Sequence, residues 1–314
     1  MTELTEKSSK RKSVFKNMLK HYQLYLFFLP VAIWLIVFKY VPMFGLVLSF
    51  KQYNIFDGIW DSPWIGFDNY IKAFNSPAFI SSFTNTIIIS LSMLLVSFPM
   101  SIIFALLLNE IRNAKFKKFV QTVSYLPHFI SWAVAGGMIY MLLSPDTGVV
   151  NLVLKQMGFS GINLLGDTKY FRGLIVAADI WKNMGWGAII YMAALAGVDE
   201  EQYEAAYIDG AGRFKMIRYI TLPSISNTII VMLILRIGRL FDVSFEQIFI
   251  LVNPTVQRVG ETISYYIYRV GLSNPTNFGF ASAIGLFESV ICLVLVVAAN
   301  NISKKFSDGE GGIW

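Results

Sequence analysis

The chain is poor in charge and poor in metal-binding side chains. Asp, Glu, Lys and Arg make up 15% of its 314 residues, against roughly 25% in a soluble domain, so an ordinary water-soluble globular fold is excluded. One cysteine, Cys292, and two histidines, His21 and His128, leave no material for a disulfide framework, a Cys/His zinc site or an iron–sulfur cluster. There is no G-x-x-x-x-G-K-[ST] loop, hence no backbone cradle for ATP phosphates and no lysine for the terminal one. H-E-x-x-H and G-x-S-x-G are missing too, which removes two familiar hydrolytic chemistries. With no long-period repeat and no low-complexity linker, the chain reads as one domain.

What is present is apolar. Hydrophobic residues make up 55% of the chain and the mean hydropathy is +0.56. From Phe83 to Asn109 and from Phe119 to Pro145 no Asp, Glu, Lys or Arg occurs, and each run exceeds the roughly 20 residues a membrane span needs. Four further blocks carry isolated charges, which predicts an all-α polytopic membrane protein with six spans at about 24–48, 83–109, 119–143, 173–196, 224–251 and 279–300. The first block is too long for a secretory signal and lacks a convincing cleavage site, so it is expected to be retained. The domain expected is thus a basic N-terminal segment, 1–23, a transmembrane region, 24–302, and a tail, 303–314.

Placing the N-terminus in the cytoplasm puts 15 of the 26 Lys and Arg residues on the cytoplasmic side, in the N-terminal segment, the 110–118 loop, the 197–223 segment and the tail. Six fall in the opposite loops, at 49–82, 144–170 and 253–277. This bias predicts that both termini lie inside. The +6 net charge is then a topological signal and not a nucleic-acid patch.

The most polar long stretch away from the N-terminus is 197–223, between the fourth and fifth spans. Asp199 is placed to cap a helix, with Gln202 three residues on, and Glu200 and Glu201 suit the positive end. Gly210 and Gly212 are the candidates for a left-handed stop. Phe214, Ile217 and Tyr219 then alternate with Arg213, Lys215 and Arg218 before Pro223, which is expected to open the next span. The segment predicts an amphipathic helical elbow just outside the membrane. Read on its own, such an elbow is an ordinary short helical loop.

The spacing says more. Glu204-Ala205-Ala206, three residues, Gly210, nine residues, Ile220, one residue and Leu222-Pro223 resembles the E-A-A-x3-G-x9-I-x-L-P signature of permease subunits of binding-protein-dependent ABC importers. Asp209-Gly210-Ala211 looks like the carbohydrate-uptake branch, which contains the maltose-type permeases. Gly66-Phe67-Asp68-Asn69-Tyr70 and Asn85-Thr86 look like further elements of that branch. Phe245-Glu246-Gln247, Asn253-Pro254 and the closing Trp314 look like a subgroup associated with complex oligosaccharides and polysaccharide fragments.

The resemblance implies a type I ABC importer permease fold in a bacterial cytoplasmic membrane. It also implies a two-helix elbow that docks into a separate ATPase, with Glu204, Ala205, Ala206, Asp209, Gly210, Ala211, Ile220, Leu222 and Pro223 as the coupling residues. The partners implied are a second permease, by preference a different chain, two copies of an ATPase, and an extracellular solute-binding protein that delivers the glycan. On this reading the chain is not an enzyme and binds no metal or cofactor itself; ATP and Mg belong to the partner ATPase.

Intramembrane charges are costly and usually face a cavity or each other. Arg236, Arg239, Asp242 and Glu246 advance by three, three and four residues, which predicts one face of a helix. Asp179, Lys182 and Asn183 in the fourth span and Glu288 in the sixth add a second polar set. The functional expectation is a hydrated path in which these groups bond sugar hydroxyls while Trp181 and Trp186 stack on sugar rings. The alternative is that the charges form ion pairs within or between subunits. Two neighbouring functions stay open: the same architecture with peptide, amino-acid or polyamine cargo, and a membrane-embedded enzyme on lipid-linked sugars using Asp179, Asp242 and Glu246. A self-contained secondary transporter is a further alternative.

Overall fold

The computed structural model describes residues 20–241, 243–273 and 277–306. Among them the regular structure is helical, apart from two isolated bridges, Lys51 with Trp64 and Asn54 with Gly58. The long elements are α1 (Tyr22–Phe50), α2 (Asp68–Phe74), α3 (Pro77–Asn109), α4 (Ala114–Phe129), α5 (Trp132–Leu143), α6 (Val149–Gln156), α7 (Thr168–Leu195), α8 (Glu200–Ile208), α9 (Arg213–Ser224), α10 (Ser226–Gly238), α11 (Phe245–Leu251), α12 (Ile263–Ser273) and α13 (Phe278–Phe306).

By length and composition α1, α3 and α13 each suffice to cross a membrane, and the bent pairs α4–α5 and α9–α10 raise the number to five among the described residues. The fourth expected span is α7. Its 28 residues rise about 42 Å, more than a hydrocarbon core of about 30 Å, but Asp179, Lys182 and Asn183 lower its hydropathy. With α7 counted by its length, the described residues offer six candidate crossings, two of them broken.

Proline placement explains the irregular turns. Pro42, Pro99 and Pro223 each stand two residues beyond a five-residue π-helical stretch, at Ile36–Tyr40, Met93–Ser97 and Ile217–Thr221. A helical proline has no N–H to donate and its ring collides with the carbonyl four residues back. Widening the preceding turn moves that carbonyl aside, so the helix continues instead of stopping. Pro223 accordingly lies in the last turn of α9, and the next crossing starts after Ile225, where the chain bends by 64°. Pro127 acts differently: it sits in the tight turn Leu126–Phe129, and the chain bends by 105° before α5.

The fifth expected span, 224–251, is corrected by the structure. Helix α10 ends at Gly238, Arg239 takes a non-helical conformation, and Ser244 caps a separate helix, α11, by accepting from Gln247 N. Arg236 and Glu246 thus do not share one helical face. The four-charge stripe fails because hydropathy and periodicity do not register a chain break. Asp242 lies outside the described residues.

Buried polar side chains bind the connecting segments to one another and to the helices. Asn69 donates to the carbonyls of Ser49 and Lys51 at 2.9 and 3.2 Å. Asn85 donates to the carbonyls of Arg258 and Glu261 and accepts from Arg172 at 2.7 Å. Thr86 Oγ1 accepts from Ile263 N, Gln247 donates to Ile175 O, and Asn253 donates to Leu165 O. These residues belong to the Gly66–Tyr70, Asn85-Thr86, Phe245–Gln247 and Asn253-Pro254 elements singled out above. Locally, the three asparagines supply donors to main-chain carbonyls, Thr86 takes the N–H that opens α12, and Gln247 binds a carbonyl of α7. Glu261, two residues before α12, pairs with Arg269 of that helix at 2.6 Å, and the hydrogen bond holds the guanidinium above its ordinary pKa against the opposing effect of burial.

Close helix approach depends on glycine. A Cβ on Gly185 would overlap the carbonyl oxygen of Ser124, and one on Gly187 would stand 2.6 Å from Ser101 Oγ, so α7 presses directly on α4 and α3. Gly136 faces Ile250 with the same lack of room, whereas Gly137 has open space around it.

Candidate functional site

Two features stand out once the crossings are in place: the elbow at one end and a cavity at the depth of the crossings. The elbow begins at Asp199, whose carboxylate accepts from Glu201 N at 3.0 Å and caps α8. Gly210 ends α8 with φ +74°, while Gly212, with φ −75°, instead precedes α9 as its extended N-cap. Only the first of the two glycines therefore needs glycine's freedom. The two short helices are pinned by Tyr203 Oη and Thr221 Oγ1 at 2.9 Å, and Arg213 reaches Glu110 of the preceding loop on the same face at 3.9 Å.

Glu204, Ala205, Ala206, Asp209, Gly210, Ala211, Ile220, Leu222 and Pro223 all fall within this elbow or its return helix. Around them Tyr207, Ile208, Phe214 and Tyr219 are large apolar side chains that are 69–84% exposed. Sequence reading found the motif but not this patch, which is legible only when both helices are placed. An exposed apolar group of this kind marks a surface that another molecule covers.

The cavity has a volume of about 580 Å³ and lies between α3, the α4–α5 break, α7 and α10. Ser97, Ser101, His128, Asp179, Asn183, Trp186, Arg236 and Arg239 supply its polar and aromatic lining. Asn183 ties two elements together: its amide donates to Asp179 at 2.8 Å and its oxygen faces His128 Nδ1 at 3.0 Å. The His128 ring in turn lies flat on Trp186, centroids 4.6 Å apart and planes 2° apart. The result is an aromatic shelf beside two guanidinium groups. His128, Ser97 and Ser101 were not foreseen as lining, because nothing in sequence brings 97–101 and 128 to residues 179–186.

The other expected path residues separate from this group. Lys182, one residue from Asn183, is 6% exposed and turns away. Its ammonium donates to the carbonyls of Pro127 at 3.2 Å, His128 at 2.8 Å and Ile130, and stands 5.5 Å from the Trp132 ring centroid. All three of its N–H bonds are therefore matched to carbonyls exposed by the 105° break. Glu246 lies exposed in the first turn of α11, and Glu288 lies on α13; neither lines the cavity.

Known proteins resemble this chain over most of its length. Residues 97–308 match the family described as binding-protein-dependent transport system inner membrane component. Protein LplB of Bacillus subtilis (strain 168) is 43% identical over 288 residues, 92% of this chain and 90% of that one. The polygalacturonan/rhamnogalacturonan transport system permease protein YteP of the same organism is 42% identical over 308 residues, 98% of this chain and 95% of its own. A crystal structure of a bacterial ABC transporter involved in the import of the acidic polysaccharide alginate superposes with a TM-score of 0.87 at 40% identity, covering 94% of this chain and 99% of the other. A second structure, of the bacterial alginate ABC transporter in complex with alginate pentasaccharide-bound periplasmic protein, gives the same TM-score at 39% identity and 95% and 99% coverage. The helical architecture, the elbow and the extent of these matches make this chain a member of the binding-protein-dependent transport system inner membrane component family.

Proposed function

We propose that the chain is the membrane-spanning subunit of an ATP-driven importer that carries oligosaccharides or polysaccharide fragments delivered by an extracellular solute-binding protein. The observation that carries this reading is the elbow: a Glu204–Pro223 segment folded as two short helices about Gly210, surrounded by exposed Tyr207, Ile208, Phe214 and Tyr219, in a chain that matches an alginate importer over 94% of its length. The elbow is the docking site for a separate ATPase, which binds the ATP and Mg that this chain does not. Glu204 supplies a charge, Ala205 and Ala206 allow close approach, and Gly210 fixes the angle through which ATPase closure pulls on α9 and α10. A second permease, by preference a different chain, completes the pore, and two ATPase copies serve the pair.

The elbow side is then the cytoplasmic side, with both termini there and the loops at 49–82, 144–170 and 253–277 facing the solute-binding protein. The excess of Lys and Arg on the elbow side supports this orientation. Cargo passes the cavity of Asp179, Asn183, Trp186 and Arg239, where hydroxyl groups meet amides and carboxylate and a sugar ring meets the Trp186–His128 shelf. Asp242, Glu246 and Glu288 belong to the approaches of this path. The carbohydrate cargo is favoured over peptides, amino acids or polyamines by the cargo named for YteP and for the alginate importer.

Uptake of labelled oligosaccharides by a strain lacking this chain, with and without the gene restored, tests the reading. ATP-dependent uptake that returns only with the chain and its binding protein supports it. Uptake that persists after ATP depletion and follows an ion gradient, or activity on lipid-linked sugars by the purified chain alone, overturns it.

A further inference from the structure

We infer that the cavity holds a carboxylate-binding site, in which Arg236 and Arg239 take the uronate groups of an acidic glycan during its passage. The inference rests on the import reading above and adds the charge of the cargo. Both arginines line the cavity, Arg236 from the last turn of α10 and Arg239 from its C-cap. Among the described residues neither guanidinium has an ion-pair or hydrogen-bond partner, the two salt bridges being Arg213 with Glu110 and Arg269 with Glu261.

The rest of the lining does not neutralise them. Asp179 is the one carboxylate on the described wall; it is 8% exposed and accepts from Asn183. Lys182, which would have added a third cation, is engaged with the carbonyls of the α4–α5 break. The described wall is thus positive by one charge. An uncompensated cation at membrane depth is costly, and the compensation this cavity is shaped for is an anion that arrives with the cargo.

Guanidinium is the right group for such an anion. Its planar fork meets a carboxylate through two parallel hydrogen bonds, and two forks, one in the last turn of α10 and one at its C-cap, line the same cavity. The Trp186–His128 shelf lies across the same cavity for the ring that bears the acid, and Ser97, Ser101 and Asn183 supply hydrogen bonds for hydroxyls. A cavity of 580 Å³ is in the size range of small-ligand sites. A peptide or polyamine cation would be repelled by the same wall.

The test uses the complete complex, with its partner permease, ATPases and solute-binding protein, in proteoliposomes. The probes are a trigalacturonate and its fully methyl-esterified form, which keeps the rings and removes the charge. Arg236→Gln and Arg239→Gln are each expected to lower transport of the acid by about 10-fold, the worth of a charge-assisted hydrogen bond, and the double variant by more. Transport of the ester, whatever its level, is expected not to fall. Equal loss of both probes, or no loss of either in an assembled complex, overturns the inference. Wild-type complex that carries neutral glycans and refuses the acid also overturns it while leaving the import reading intact; wild-type complex that carries no glycan overturns the import reading itself. Where the double Gln variant does not assemble, Arg239→Lys keeps the charge and loses the fork. It is expected to assemble and to lower acid transport alone, and failure to assemble there assigns the arginines to packing and overturns the inference.

Discussion

Lys182 gives the sharpest test of the physical account, because sequence and structure assign it different work. Its ammonium meets the carbonyls of Pro127, His128 and Ile130 where the chain turns by 105°. The break removes the helical partners of the His128 and Ile130 carbonyls, while the Pro127 carbonyl also accepts from Ile130 N at 3.2 Å. In Lys182→Met the stem still fills its space, but the His128 and Ile130 carbonyls lose their donor and the Pro127 carbonyl keeps only Ile130 N. A hydrogen bond to a charged group contributes about 1.5–3 kcal/mol, and the desolvation of a buried ammonium offsets part of the sum. Three bonds at the lower end sum to about 4.5 kcal/mol, and a desolvation penalty of several kcal/mol for the ion removes more than half of it, which leaves a net loss of about 2 kcal/mol. The assay is thermal unfolding of the assembled complex in nanodiscs, together with protease cleavage near residues 126–131. The expected result is a melting temperature lower by roughly 5 °C or more and faster cleavage at the break. A variant with wild-type stability and protease resistance but no sugar uptake would refute the reasoning and return Lys182 to the substrate path.

Other consequences follow from single contacts. Gly185→Ala places a methyl against the Ser124 carbonyl; main chain does not yield as a side chain does, so stability should fall by about 1–3 kcal/mol, whereas Gly137→Ala, in open space, should leave the melting curve unchanged. Asn85→Ala leaves the Glu261 carbonyl and one Arg172 N–H without the partner Asn85 gives them, and the Arg258 carbonyl with the Ser81 hydroxyl alone; it should cost about 2–3 kcal/mol, read as faster hydrogen exchange at 257–263, and unchanged exchange would refute its bolting role. Gly210→Ala forces a side chain into φ +74° at about 1–2 kcal/mol, and should reduce ATPase stimulation by loaded binding protein without abolishing assembly. On α12 the Glu261 hydrogen bond raises the Arg269 pKa. A raised cationic pKa gives stability that is complete below the unfolded value and lost only as pH rises through the folded one. Both lie at or beyond the ordinary arginine range, so alkaline titration to about pH 10 should leave this contact intact, while Glu261→Gln should weaken it by about 1 kcal/mol after screening at the part-exposed arginine.

The parts of this molecule legible in sequence are those governed by local chemistry. The two runs free of charge fall on α3 and on the bent pair α4–α5, the Asp199 cap followed from its neighbours, and the Gly210 stop followed from the left-handed turn that α8 needs. What escaped reading depends on distant partners or on bends. The breaks at residues 130, 225 and 239 lie inside apolar runs, and hydropathy has no direction in it. Arg236 to Glu246 had helical spacing without a continuous helix to carry it. Lys182 was placed with Asp179 and Asn183 because the three are neighbours, yet its acceptors lie more than 50 residues earlier. The two glycines at 210 and 212 looked alike, and only φ separates a stop from a cap. Asn69, Asn85 and Gln247 were visible as motif elements, but their function as carbonyl partners appears only when loops from three parts of the chain meet.

The central claim is that the Glu204–Pro223 elbow couples this chain to a separate ATPase. The most direct measurement is mild-detergent purification of the tagged chain from its own host, with mass spectrometry of the co-purifying proteins, for wild type and for Gly210→Pro. Proline holds φ near −65° and cannot adopt the +74° of the turn. The account predicts that wild type brings down a P-loop ATPase and a second six-span protein, and that the variant retains the second permease and loses the ATPase. An ATPase recovered equally with both forms, or a chain that purifies alone in both, would contradict it.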